Sequence, residues 1–82
     1  MLYEIYGTQN CTFCHKAQQL LTQYDKPYTF IDVAEDEDIT AAFFNRFPGV
    51  KTVPQIVLGD DHIGGYQELR NSLTLDQIES IL

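Results

Sequence analysis

Between Leu2 and Tyr6 the segment LYEIY alternates apolar and polar positions, the period of a half-buried strand, and Gly7–Asn10 follows as a loop. From Cys11 to Tyr24 the apolar residues Phe13, Ala17, Leu20, Leu21 and Tyr24 recur at three- and four-residue spacing, which predicts an amphipathic helix. Pro27 cannot continue that helix and ends it. Tyr28–Val33, rich in β-branched and aromatic residues, reads as a second strand. The acidic run AEDED then leads into ITAAFFNRF, and carboxylates suit the positive end of a helix dipole. Ile39, Ala42, Phe43 and Phe47 are assigned to its buried face, and Pro48-Gly49 stops it. QIVL and HIG, separated by Gly59-Asp60-Asp61, predict a β-hairpin. The remainder is helical, with a break before Thr74, where Thr74 and Gln77 have capping-box spacing. The resulting order, β-α-β-α-β-β-α, predicts an α/β fold with a mixed four-stranded sheet flanked by helices.

Eighty-two residues make one domain, residues 1–82, and 44% hydrophobic content is enough for a compact core without a metal or disulfide frame. The formal charge is -7, and the five cations Lys16, Lys26, Arg46, Lys51 and Arg70 are scattered, so nucleic acid is not an expected partner. No apolar run reaches membrane-spanning length, and MLYEIYGTQ has neither the basic nor the apolar region of a secretory signal. A cytoplasmic location is the expectation, and there a Cys-x-x-Cys is more often catalytic or metal-binding than structural.

The two cysteines stand in Cys-Thr-Phe-Cys-His, residues 11–15. A bond between Cys11 and Cys14 closes too small a loop to stabilise the chain, so any pairing of these sulfurs serves chemistry. Haem attachment uses this spacing, but it needs an axial partner for His15 from Met1 or His62, and small haem proteins of that type are helical. Structural zinc needs four ligands, and beyond the cysteines the candidates are His15 and His62. Two inert buried cysteines remain an alternative. A redox dithiol has a positive physical case. Cys11 falls at the first turn of a helix, where unpaired N–H groups and the dipole stabilise a thiolate, and Cys14 lies over the same face.

Two distant stretches bear on the same chemistry. Lys51-Thr52-Val53-Pro54-Gln55 puts a proline at the start of a buried strand, either as an ordinary edge proline or as a cis peptide whose neighbouring backbone pairs with a bound peptide. His62-Ile63-Gly64-Gly65-Tyr66-Gln67-Glu68 ends a strand in two glycines and opens a helix. That pattern is a tight turn, or a carboxylate site on helix-start amides.

With these three stretches together the chain resembles the glutaredoxins, specifically the short dithiol class of bacteria and their viruses, over essentially its whole length. The resemblance implies a thioredoxin fold and a monomeric glutathione-disulfide oxidoreductase. Cys11 would attack a glutathione mixed disulfide or a protein disulfide, and Cys14 would resolve the mixed disulfide with a protein. Glutathione would serve as reducing co-substrate, with no resident metal. Thr52 and Val53, before Pro54, would hold glutathione by backbone pairing, and Phe13 would pack beside it. Gly65, Tyr66, Gln67 and Glu68 would surround its γ-glutamyl end, with Glu68 on the ammonium. The chain departs from the family pattern in having Thr12-Phe13 where Pro-Tyr is usual, and Thr8 where a Lys or Arg commonly meets the glycine carboxylate. Lys16, Arg46 or Lys51 is the expected replacement. The departures leave two alternatives: a thioredoxin-like electron donor to ribonucleotide reductase recycled by thioredoxin reductase, and a module binding a 2Fe–2S cluster through Cys11 and glutathione.

Overall fold

A computed structural model describes residues 2–81, with side chains to Ile78. Its elements are β1 (Tyr3–Gly7), α1 (Thr12–Gln23), β2 (Tyr28–Asp32), α2 (Glu37–Arg46), β3 (Gln55–Leu58), β4 (Asp61–Gly64) and α3 (Tyr66–Ile81). The strands form one sheet in the order β2-β1-β3-β4. β1 runs parallel to β2 and antiparallel to β3, and β3 runs antiparallel to β4, so the sheet is mixed as expected.

Strand alternation splits the core between the two faces of the sheet. Tyr3 and Ile5 of β1 and Ile56 of β3 pack with Ala17, Leu21, Leu69 and Leu73 of α1 and α3. Tyr6 and Val57, one position along, face the other way onto Val33, Phe43 and Phe47. Each face buries a continuous apolar layer, at about 25 cal/mol per Å2 of apolar surface removed from water.

α2 starts where Asp36 accepts the Ile39 N–H at 2.9 Å, the N-cap that the acidic run supplies. Its buried face is narrower than the sequence pattern predicts. Phe43 and the C-cap Phe47 are buried, while Ala42 is exposed, because a residue adjacent to Phe43 is turned about 100° away from it around the helix. The predicted break before Thr74 is absent. The Thr74 hydroxyl donates to the Arg70 carbonyl one turn back, at 2.9 Å, so it does not cap a new helix and α3 runs on. β1 is displaced one residue along the sequence, since Gly7 still pairs with Asp32. The hairpin loop is Gly59-Asp60, with Asp61 already paired to Leu58 and Gly59 at φ 62°.

This topology brings the three motifs together. β1 ends at Gly7 and leads to Cys11. β3, antiparallel to β1, begins at that same end, where Gln55 pairs with Tyr6. β4 reverses again and finishes there, where Gly64 pairs with Ile56.

Candidate active site

Cys11 is the N-cap of α1, with extended backbone at φ -94° and ψ 112°. Its Sγ accepts the Cys14 N–H at 3.1 Å, one of the amides that a helix start leaves unpaired. The same sulfur donates to the Val53 carbonyl at 3.7 Å, so the loop before Pro54 touches Cys11 directly. The Val53–Pro54 bond is cis. Both cysteines are free thiols, Cys11 half-buried and Cys14 buried.

Cys14 is fully enclosed, at 0% exposure, and Gly7 leaves the space that its sulfur fills. Burial pushes its thiol up to about 12, and the hydrogen bond and charge of Cys11 push the same way, against the Thr8 backbone N–H. The two sulfurs therefore differ in kind. One is presented to solvent at a helix terminus, and the other is a protonated reserve beneath it.

Beside Cys11 opens a cleft of about 570 Å3. Phe13, the Thr52–Pro54 loop and the Gly65–Glu68 turn all line it, so every residue expected to contact glutathione is brought to one place. Phe13 is 53% exposed and packs on Tyr66, ring centroids 5.7 Å apart, forming an apolar wall. At the turn the Glu68 carboxylate accepts the Gly65 N–H at 2.8 Å, and the Gly65 carbonyl accepts the first helical N–H, from Leu69, at 3.0 Å. Gly65 has no side chain to cap the next amides, so this helix start faces the cleft with N–H donors.

Of the three cations expected to replace the one missing at Thr8, the structure brings Lys16 to the cleft, its Nζ 5.0 Å from the centroid of Phe13. Arg46 is placed elsewhere. It pairs with Glu4 at 3.4 Å, hydrogen-bonds the Tyr6 hydroxyl and lies over the rings of Tyr6 and Phe47 on the α2 face. Lys51 does not line the cleft, whereas Arg70 does and was not foreseen. The signal for Arg70 was available: it lies four residues after Tyr66, on the same face of α3. His15 bonds the Gln9 carbonyl at 2.7 Å and fastens the loop that precedes Cys11, consistent with an incidental place in the Cys-x-x-Cys-His run. Among the described residues no three His, Cys, Asp or Glu side chains converge as a metal site.

Comparison with known proteins shows the family and the fold. The glutaredoxin family model matches residues 3–63. A glutaredoxin-1 of Ectromelia virus is 31% identical over 83 residues, covering 95% of this chain and 77% of the viral protein. A hybrid peroxiredoxin of Haemophilus influenzae is 38% identical over 65 residues, and the match spans 79% of this chain but 26% of that longer protein. Among solved structures, a buckwheat glutaredoxin–glutathione complex superposes with a TM-score of 0.77 at 24% identity, covering 98% of this chain and 74% of that one. The glutaredoxin-like NrdH-redoxin of Escherichia coli, described as having a thioredoxin-like activity profile, reaches 0.74 at 19% identity, covering 92% and 93%. At these identities both structures are likenesses of fold, and the overall shape does not separate a glutathione-linked protein from a thioredoxin-like one.

Proposed function

Because the chain belongs to the glutaredoxin family of thiol–disulfide oxidoreductases, we propose that it reduces glutathione mixed disulfides and protein disulfides, with glutathione as the reductant. The observation that carries this reading is the placement of Cys11 on the Val53 carbonyl, at the edge of a cleft that sets the backbone donors of the Gly65–Glu68 turn beside the aromatic pair Phe13 and Tyr66. Those are the surfaces that a short peptide with a carboxylate at each end requires.

In the proposed reaction the Cys11 thiolate attacks the glutathione sulfur of a mixed disulfide. The old S–S bond breaks, the substrate leaves as a thiolate and takes a proton from water, and glutathione remains bonded to Cys11. A second glutathione thiolate then attacks the glutathione sulfur of that adduct, forming oxidised glutathione and restoring the Cys11 thiolate. With a protein disulfide, the Cys11 thiolate attacks one sulfur and the other leaves as a thiolate that takes a proton from water; Cys14 then attacks the Cys11 sulfur, its proton passes to the departing substrate sulfur, and two glutathiones later reduce the Cys11–Cys14 bond and leave as oxidised glutathione. The Gly65–Glu68 turn receives the γ-glutamyl carboxylate, and the free edge of the Glu68 carboxylate meets the ammonium. Lys16 and Arg70, which line the cleft, are the cations available to the glycine carboxylate. A protein of the same fold, the buckwheat glutaredoxin, is described in complex with glutathione. The same reading makes the protein cytoplasmic, where glutathione is abundant and reduced.

The deciding experiment offers one preparation a glutathione mixed disulfide in two coupled assays, one with glutathione and its reductase, the other with thioredoxin reductase. Turnover in the first assay is expected. Turnover in the second alone would assign the chain to the thioredoxin-like donors, as for the NrdH-redoxin.

A further inference from the structure

Behind the loop that borders the sulfurs stands a polar relay whose middle member is buried. Among the described residues Gln55 is the buried polar side chain, at 7% exposure in a layer of apolar neighbours. Its Nε2 donates to the Thr52 carbonyl at 3.0 Å and reaches the Thr52 hydroxyl at 3.4 Å, while its Oε1 lies 2.7 Å from Nε2 of His62. A carbonyl oxygen can only accept, so the amide nitrogen of Gln55 must face Thr52. The amide oxygen then faces His62, which donates from Nε2 in either of its charge states with that nitrogen protonated. His62 is fixed in turn by its ring contact with Phe47, centroids 4.6 Å apart, and by its pairing with Val57 beside the bulge in the β3–β4 ladder.

The relay acts on a single peptide plane. The Thr52–Val53 peptide is trans, so its C=O and N–H point in opposite directions. Gln55 draws the Thr52 carbonyl inward, which turns the Val53 N–H outward, and Val53 lines the cleft. Among the described residues none accepts that N–H, while the Val53 carbonyl already contacts Cys11 Sγ. A donor and a sulfur are thereby held in fixed relation, which suits an extended peptide whose cysteine reacts while its backbone pairs with the loop.

We infer that Gln55, held by His62, is a positioning residue that aims the Val53 N–H at the backbone of disulfide substrates; the inference rests on the thiol–disulfide reading above. It gives substrates with peptide groups beside the disulfide an advantage over those without. The test compares a glutathionylated peptide with dithiodipyridine, a disulfide that has no peptide group, on the reduced full chain. Gln55→Glu keeps the acceptor facing His62 and removes the donor facing Thr52. The expected result is a KM for the glutathionylated peptide raised roughly five- to tenfold, the range of one lost hydrogen bond, with little change in the rate toward dithiodipyridine. His62→Ala loses the outer anchor and is expected to raise that KM about two- to threefold, and the double variant to be no worse than Gln55→Glu alone. An unchanged KM, or equal slowing toward both disulfides, would overturn the proposal. If Gln55→Glu does not fold, His62→Ala carries the same comparison. A wild-type protein that reacts with dithiodipyridine but not with the glutathionylated peptide refutes the glutathione reading alone, and the ratio is then measured on the disulfides of insulin.

Discussion

A Cβ built on Gly7 stands 2.5 Å from the Sγ of Cys14, closer than any two such atoms can pack. The same carbon meets the ring of Phe30 at 3.0 Å and the Cβ of Cys14 at 3.1 Å, so neither side has room to give. Gly7→Ala is therefore expected to push α1 off the end of β1. Overpacking of this kind costs about 1–3 kcal/mol, which a urea titration reads directly. Protein-disulfide reduction, which needs Cys14 in place, should fall more than deglutathionylation. A stability equal to wild type would mean that the helix start is softer than its packing indicates.

The raised Cys14 thiol gives a pH dependence with a definite sign. Burial holds this thiol well above its ordinary value, so its thiolate is a small fraction at pH 7 and grows tenfold with each pH unit. Release of a protein bound to Cys11 should accelerate steadily from pH 7 to 9, while Cys14→Ser abolishes release and keeps deglutathionylation. Linkage adds a stability effect. The folded state holds this proton more tightly than the unfolded one, so the stabilisation is complete below about pH 9 and is lost as pH climbs toward 12. The reduced protein should become easier to unfold with urea across that window, and Cys14→Ser should show a shallower decline. Release that is flat from pH 7 to 9 would contradict the assigned role of Cys14.

Lys16 and Arg70 supply positive charge at the cleft of a chain whose net charge is -7. Lys16→Glu and Arg70→Glu should each raise the KM for the glutathione mixed disulfide several-fold, with Cys11 alkylation by a neutral reagent much less affected. The effect should shrink as salt rises, since the Debye length falls from about 10 Å at 0.1 M to about 3 Å at 1 M. Insensitivity of the Lys16 reversal to salt would point to its lost packing on Phe13 instead.

Glu68 closes the start of α3 by accepting the Gly65 N–H. Glu68→Ala should lower stability by roughly 0.5–1 kcal/mol, as expected for a carboxylate removed from a helix N-terminus, and should also weaken glutathione binding. Calorimetric titration with a non-reacting S-alkyl glutathione measures the second effect apart from turnover. Unchanged affinity would remove Glu68 from the ammonium site.

Much of this architecture was legible because local rules and the fold agree. Pro27 and Pro48-Gly49 mark real helix ends, and the alternation in QIVL matches a strand with Val57 in one core and Ile56 in the other. Where the pattern misled, tertiary context decided. Thr74 has a capping residue's chemistry, yet its hydroxyl turns back to Arg70 and the helix continues. The Cys-x-x-Cys, Val-Pro and Gly-Gly motifs announced the site because each constrains its own backbone. Charged side chains are marked only by their spacing from residues already assigned to the site, as Arg70 is by Tyr66. Arg46 and Arg70 look alike in the sequence, and the face of the helix on which each falls sends one to Tyr6 and the other to the cleft. The Gln55–His62 contact was illegible for a related reason: it depends on a bulge in the hairpin, and no residue type announces that bulge.

The enclosure of Cys14 imposes an order of events on the molecule. An oxidant arriving from solution meets one sulfur, never two, because the inner one has no exposed surface. In the proposed reaction the inner sulfur acts only on what the outer one has already captured. The depth of one side chain thus works as a clock: capture comes first, release second.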